Sequence, residues 1–167
     1  MEVSPKTFTI TRTLNAPRQL VWDVWTQPDH LMKWFAPKGF IMPKCDMDFR
    51  VGGTFHYCQE SPSGEQMWGK WIFREIVKPE KIDLLHSFSD AEGGITHHPM
   101  APTWPLQMTS VTTLVDNAGK TDLTIAWSPY NASDEEITTF NSSFDSMNGG
   151  WNGTFEYLEA YLSELTK

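Results

Sequence analysis

The sequence has few cysteines, no long apolar run and almost no positive charge in its last third. Two cysteines in 167 residues, Cys45 and Cys58, are too few for a disulfide scaffold and are interpreted as small strand residues. No apolar stretch approaches the ~20 residues needed to cross a bilayer. The first residues also lack the basic and then apolar pattern of a secretory signal. We therefore expect a cytoplasmic protein that does not span a membrane.

Negative charge dominates the chain, with a formal net charge of −8 at neutral pH. Residues 100–167 contain only Lys120 and Lys167 as basic residues, against nine acidic ones. Binding to nucleic acids or to anionic lipid surfaces requires a basic face, which this chain lacks. We predict neither a nucleic-acid partner nor a membrane partner.

Signatures of cofactor and metal chemistry are also missing. No Cys/His spacing matches a zinc site, and the sequence has no glycine-rich phosphate loop, nucleophile elbow or HExxH motif. His97 and His98 are adjacent, so their side chains tend to diverge. We predict no metal site and no cofactor.

Hydrophobic periodicity predicts a strand, two short helices and then a series of strands. Residues 6–14 alternate with period two, whereas 18–26 and 29–35 have apolar residues at helical spacing. Asn15 is a candidate helix cap, and Pro28 separates the two helices. The further strands are predicted at 40–49, 54–59, 66–77, 81–88, 107–116 and 121–128.

The last part of the chain predicts one long amphipathic helix over 133–165. Ser133 and Glu136 have the spacing of a capping box, and apolar residues follow at steps of three and four. Gly149, Gly150 and Gly153 interrupt this pattern, although a glycine in a helix costs about 0.5–1 kcal/mol relative to alanine. We expect either a bend there or the close approach of another group.

Residues 89–105 contain two glycines and three prolines and are predicted to be irregular throughout. Loops of this length in compact domains are often lids or binding loops.

The order of elements, an antiparallel set of strands followed by one long helix, is that of an α+β helix-grip fold. The segments FTITRTLNAPRQLVWDVWTQPDHLMKWFAPKGF, CDMDFRVGG, GKWIFREIVKPEKI, TDLTIAW and GGWNGTFEYLEAYL resemble the START-like (SRPBCC) superfamily, of the activator of heat-shock-protein ATPase homologue (AHSA) type. The resemblance covers nearly all of residues 7–163. It implies one START-like domain over 1–167, with a curved sheet of about six or seven strands around the C-terminal helix.

Members of this family include ligand carriers, enzymes and regulators, so the resemblance implies no catalytic set, and the catalytic residues stay unknown. It does imply a cavity between sheet and helix, and sites for small molecules are mostly apolar with a few polar groups. We therefore predict binding of a small hydrophobic or aromatic ligand there. The candidate ligand-binding residues are Trp34, Phe40, Phe55, Tyr57, Trp71, Phe73, His86, Phe88, Met108, Trp127, Phe144, Met147 and Trp151.

His86 is the most informative polar candidate, because it takes an apolar place in the alternation of Ile82, Leu84 and Phe88. It is interpreted either as a hydrogen-bonded core residue or as a group that contacts the ligand. Two other functions stay open: an enzyme of cyclase, aromatase or hydrolase type that pairs His86 with a carboxylate, and a co-chaperone-like interaction module. An exposed strand edge could also pair into a homodimer.

Overall fold

Eight strands and four helices make up the chain in the computed structural model, which describes residues 3–37 and 39–167. The strands are β1 (Phe8–Leu14), β2 (Ile41–Met47), β3 (Thr54–Glu60), β4 (Gln66–Val77), β5 (Lys81–Ser89), β6 (Ile95–Thr96), β7 (Gln107–Asn117) and β8 (Lys120–Tyr130). The helices are α1 (Arg18–Thr26), α2 (Pro28–Trp34), α3 (Asp134–Asn141) and α4 (Phe144–Leu165). Met1, Glu2 and Lys38, which the domain prediction includes, lie outside the described residues.

All strand pairs are antiparallel, and the strand order across the sheet is β1-β8-β7-β5-β4-β3-β2, with β6 paired to β5. Alternation along each strand puts one set of side chains on the face that meets the helices. β7 follows this rule closely, since Met108, Ser110, Thr112 and Leu114 are buried and their neighbours are less so. The α+β helix-grip prediction is confirmed, with one two-residue strand more than the six or seven expected.

The C-terminal helix α4 packs its apolar stripe against the sheet. Met147, Phe155, Leu158 and Leu162 are buried on this stripe. Arg12 of β1 ties the helix to the sheet edge, because its Nε donates to Glu159 Oε1 at 2.8 Å and its guanidinium lies over the Phe155 ring.

The prediction of a single helix over 133–165 is wrong, because the chain leaves helical geometry at Ser142 and Ser143. Both serine hydroxyls donate to the Thr139 carbonyl oxygen, at 3.0 Å from Ser142 and 2.6 Å from Ser143. Such local side-chain bonds compete with the helical hydrogen-bond pattern. The capping box is confirmed: Glu136 N donates to Ser133 Oγ, and Ser133 N donates to the Glu136 carboxylate.

Two smaller expectations also fail. Pro17, not Asn15, is the residue at the start of α1, and no side chain caps that helix. The 89–105 segment is not irregular throughout, because Phe88 and Ser89 of β5 pair with Thr96 and Ile95 of β6. The helix break at Pro28 is confirmed, since Pro28 is the first residue of α2.

No helix within the described ranges is long and apolar enough to cross a membrane.

Candidate ligand cavity

A cavity of about 540 Å³ lies between the sheet and the two C-terminal helices. This volume is within the range of about 300–1,000 Å³ that is usual for small-molecule sites. Its lining comes from α1, β3, β4, β5, β7, β8, α3 and α4, from the residues that follow α2, and from the segment between β6 and β7.

Strand register builds the floor of the cavity from rows of directly opposed residues. In one row Trp71 of β4 faces His86 of β5, and His86 faces Met108 of β7. In the next row Ser110 of β7 faces Trp127 of β8, whose indole Nε1 donates to Ser110 Oγ at 3.0 Å. Opposed side chains on one face of a sheet touch, so this register sets aromatic rings side by side.

The position of the Tyr57 ring depends on a glycine on the neighbouring strand β4. It faces Gly69 in the register, and a Cβ at Gly69 would lie 2.3 Å from Tyr57 Cζ and Oη. Gly69 therefore leaves the space in which the Tyr57 ring lies over the sheet. Burial raises the pKa of Tyr57, so this phenol stays protonated at neutral pH.

Small and hydroxyl-bearing residues form the helical wall. Thr139 of α3, Ser143 at the helix break, and Ser146, Gly150 and Thr154 of α4 line the cavity. A Cβ at Gly149, Gly150 or Gly153 would meet nothing within 4 Å. The expected close approach of another protein group is therefore absent, and Gly150 instead leaves space at the cavity wall.

The segment between β6 and β7 closes another side of the cavity through His98, Ala101, Trp104 and Pro105. The His98 ring packs edge-on against Phe88, with centroids 4.5 Å apart. Trp104 packs against Phe140 of α3 at 5.7 Å, and Thr139 Oγ1 donates to Thr103 Oγ1 at 2.9 Å. This segment thus connects the sheet to α3 over the cavity.

The lining carries no formal charge, because it contains no Asp, Glu, Lys or Arg among the described residues. Its titratable groups are Tyr57, His86 and His98. Burial lowers the pKa of His86 to about 4, so its imidazole is neutral at neutral pH.

Two residues of this lining each have a buried polar atom without a hydrogen-bond partner in the part of the chain that the structure describes. His86 Nε2 and Trp151 Nε1 are both closed off from solvent and unpaired. An unpaired buried polar group costs about 1–3 kcal/mol. Both rings contact Trp127, with centroid separations of 4.4 Å for His86 and 5.6 Å for Trp151. The two unpaired nitrogens therefore belong to one aromatic cluster at the cavity.

The structure brings eight of the thirteen candidate residues to the cavity. These are Tyr57, Trp71, His86, Phe88, Met108, Trp127, Met147 and Trp151.

The other five candidates lie elsewhere. Trp34 is buried behind Trp25, and its indole donates to the Val24 carbonyl oxygen at 3.0 Å. Phe55 and Phe73 are fully buried on either side of Trp71, and pack edge-on against it.

Phe144 packs on Phe8 and Phe140 in the helix-sheet interface. Phe40 precedes β2 and is partly buried away from the cavity. None of these five residues lines the cavity, because alternation predicts which face of a strand a side chain takes and not how deeply it is buried.

Sequence reasoning missed several cavity residues. Trp25 lies in α1 and Phe35 directly follows α2, and the helical spacing of both residues indicates core and gives no sign of a cavity. Trp68 carried a weak signal, as an aromatic residue in the strand predicted at 66–77. Trp104 lies in the 89–105 segment, which was predicted to act as a lid or binding loop without assigned residues.

The carboxylate that the enzyme alternative requires is absent from the described lining, so His86 forms no acid-base pair with Asp or Glu there. Asp46 of β2 forms an ion pair with Lys44, and Asp48 in the turn after β2 forms one with Arg50, each at 2.8 Å.

Neither thiol lines the cavity, and burial raises the pKa of Cys45 to about 11. No cluster of three or more His, Cys, Asp or Glu able to hold a metal ion occurs in residues 3–37 and 39–167.

Comparison with known proteins identifies the family. Solved structures with the same fold include a protein from Arthrobacter aurescens (24% identity, TM-score 0.77, covering 98% of this chain and 93% of that one). Others come from Nitrosomonas europaea (25%, 0.72) and Mycobacterium smegmatis (23%, 0.73), each covering 96% of both chains. No protein of curated function matches the sequence. A family model described as "Activator of Hsp90 ATPase homolog 1-like protein" matches residues 15–163, and the chain belongs to this family.

Proposed function

We propose that this protein binds a small, uncharged, aromatic or otherwise hydrophobic molecule in the cavity between the sheet and α4. The observation that carries the proposal is a cavity of about 540 Å³ whose wall is dominated by aromatic rings and has no charged side chain among the described residues. Burying an ion in such a wall without a counter-charge is costly, whereas apolar surface gains about 25 cal/mol per Å² removed from water.

An interaction module of co-chaperone type would instead need a continuous apolar patch on the outer surface. The large exposed apolar side chains are divided among several elements: Met32 is on α2, Ile41 on β2, Val115 on β7 and Met100 in the segment before β7. The cavity is the concave apolar surface on which we base the proposed function.

Gly150 offers a test that leaves the folded contacts intact. Gly150 lines the cavity and nothing lies within 4 Å of its Cβ position, so we expect a Leu side chain there to reduce the cavity space without displacing a neighbour. Gly149 has the same free Cβ direction and does not line the cavity, so Gly149→Leu is the matched control.

The probe is N-phenyl-1-naphthylamine, an uncharged compound whose fluorescence rises in apolar surroundings. We expect saturable binding to the wild-type protein and to Gly149→Leu. Gly150→Leu should bind at least about tenfold more weakly, which corresponds to 1.4 kcal/mol. Equal affinities in the two variants, or no saturable binding to the wild-type protein, would overturn the proposal.

A further inference from the structure

Gly69 of β4 lies between two residues that line the cavity. It is directly opposed to Tyr57 of β3 and to Phe88 of β5 in the strand register. Because directly opposed residues of antiparallel strands project from the same face of the sheet, a Cβ at Gly69 would point to the cavity face. There it would lie closer than 3.0 Å to Cζ, Oη and Cε1 of Tyr57. The Tyr57 ring therefore keeps its place against β4 only while residue 69 has no side chain.

Neighbouring groups surround the Tyr57 ring outside the cavity. Phe55 of the same strand is fully buried and stacks on the ring with 5.0 Å between centroids, and Phe35 packs edge-on against it at 5.3 Å. On β2 the directly opposed residue is Cys45, whose thiol donates to the Pro28 carbonyl oxygen at the start of α2. We therefore expect a displaced Tyr57 ring to move into the cavity.

The cavity lining reaches across five neighbouring strands of the sheet. It begins with Tyr57 on β3, continues over β4, β5 and β7, and ends with Trp127 on β8. With strands about 4.8 Å apart, this is about 19 Å measured along the sheet, so a single aromatic ring contacts only part of the lining. Room at the β3 end thus matters for a compound with several rings.

Resting on the proposed function, we propose that the ligand has several aromatic rings and that Gly69 sets the size that the cavity accepts. By keeping the Tyr57 ring against β4, Gly69 leaves the β3 end of the cavity open to the outermost ring of such a compound. Gly69 does not line the cavity itself, so it is a positioning residue that acts through Tyr57.

The experiment compares N-phenyl-1-naphthylamine with 1-naphthylamine, which lacks the phenyl ring and is also uncharged at neutral pH. Isothermal titration calorimetry measures both dissociation constants. In the wild-type protein the larger compound should bind at least about tenfold more tightly, because its additional ring removes apolar surface from water. In Gly69→Ala this ratio should fall at least about fivefold, since the displaced Tyr57 ring takes the space of the additional ring.

Two further variants separate this effect from a general loss of stability. Gly94→Ala is the matched control, because its Cβ would also displace a side chain, that of Asp90, and Gly94 does not line the cavity. This variant should keep the wild-type ratio. Gly69→Ala/Tyr57→Leu lacks the Cζ, Oη and Cε1 atoms that the new Cβ would meet, so its ratio should return at least to the wild-type value.

Tyr57→Leu alone keeps the test independent of whether Gly69→Ala folds, because it changes no atom of β4. It enlarges the same end of the cavity. N,N-Diphenyl-1-naphthylamine, which has one more ring, should therefore gain at least about fivefold in affinity relative to N-phenyl-1-naphthylamine.

Three results would overturn the inference and leave the proposed function supported by the binding of both smaller compounds. These are equal affinities of the two in the wild-type protein, an unchanged ratio in Gly69→Ala, and no gain of the largest compound in Tyr57→Leu. Absence of binding by every compound would instead overturn the proposed function itself, and the inference with it.

Discussion

At the scale of single residues, His86 combines a polar ring with an apolar setting. Its strand position is one that alternation reserves for the inner face, and its ring contacts Trp127 with 4.4 Å between centroids. Burial lowers the pKa of His86 from its ordinary 6.5 to about 4, so the folded protein holds a neutral imidazole down to acidic pH.

This pKa has a consequence for stability that His86→Phe isolates. The unfolded chain takes up a proton on His86 near pH 6.5, whereas the folded chain does so only near pH 4. Between these values the unfolded state binds more protons, so the free energy of unfolding falls as the pH falls. The contribution is up to about 3 kcal/mol.

Urea unfolding of wild-type protein and His86→Phe between pH 7 and pH 4 measures this contribution. The wild-type protein should lose more stability on acidification than the variant, because carboxylates affect both alike. Parallel curves would mean that His86 titrates normally in the folded state.

At the scale of elements, α4 has glycines that its packing does not need. Gly149 and Gly150 lie within a helix that continues to Leu165, and a Cβ on either would meet nothing within 4 Å. Glycine destabilises a helix because the unfolded chain has more backbone freedom to lose. Gly150 lines the cavity, whereas the structure gives no packing reason for Gly149.

Alanine substitution tests this view of α4. Gly150→Ala should raise the free energy of unfolding by about 0.5–1 kcal/mol, and Gly149→Ala should do the same. Gly53→Ala is the contrasting variant, because its Cβ would lie 2.1 Å from the Asp48 carbonyl oxygen and should destabilise the protein. Chemical denaturation measures all three, and a destabilised Gly150→Ala would show that the helix does need this glycine for packing.

The strands and helices were largely predictable from the sequence, whereas the burial depth of individual side chains was not. Alternation identified the inner faces of β4, β5 and β8, so Trp71, His86 and Trp127 could be assigned to the cavity side. Phe73 has the same alternation as Trp71 and is nevertheless fully buried, because Phe49 packs edge-on against it with 5.1 Å between ring centroids.

The sequence pattern also failed to predict the break between α3 and α4. The apolar stripe runs through Phe140 and Phe144 without interruption, and only the hydroxyl bonds of Ser142 and Ser143 to one carbonyl oxygen indicate the change. The unpaired nitrogens of His86 and Trp151 depend on tertiary packing, which no local spacing encodes.

At the scale of the whole molecule, the charged side chains of the described residues lie outside the lining of the cavity. The chain has a net charge of −8, yet no Asp, Glu, Lys or Arg among the described residues lines the cavity. The ion pairs instead join elements away from it: Arg12 meets Glu159 between β1 and α4, and Arg74 meets Asp83 between β4 and β5 at 2.8 Å. The described residues that line the cavity are therefore all without Asp, Glu, Lys or Arg side chains.

The most direct test of this account is a crystal of the protein soaked with 2-bromonaphthalene and measured at the bromine absorption edge. The account predicts a bromine peak in the anomalous map inside the cavity, within contact distance of Trp71, Trp127 or Gly150. Bromine bound only on the outer surface, or a cavity without a peak at a concentration that saturates binding in solution, would contradict it.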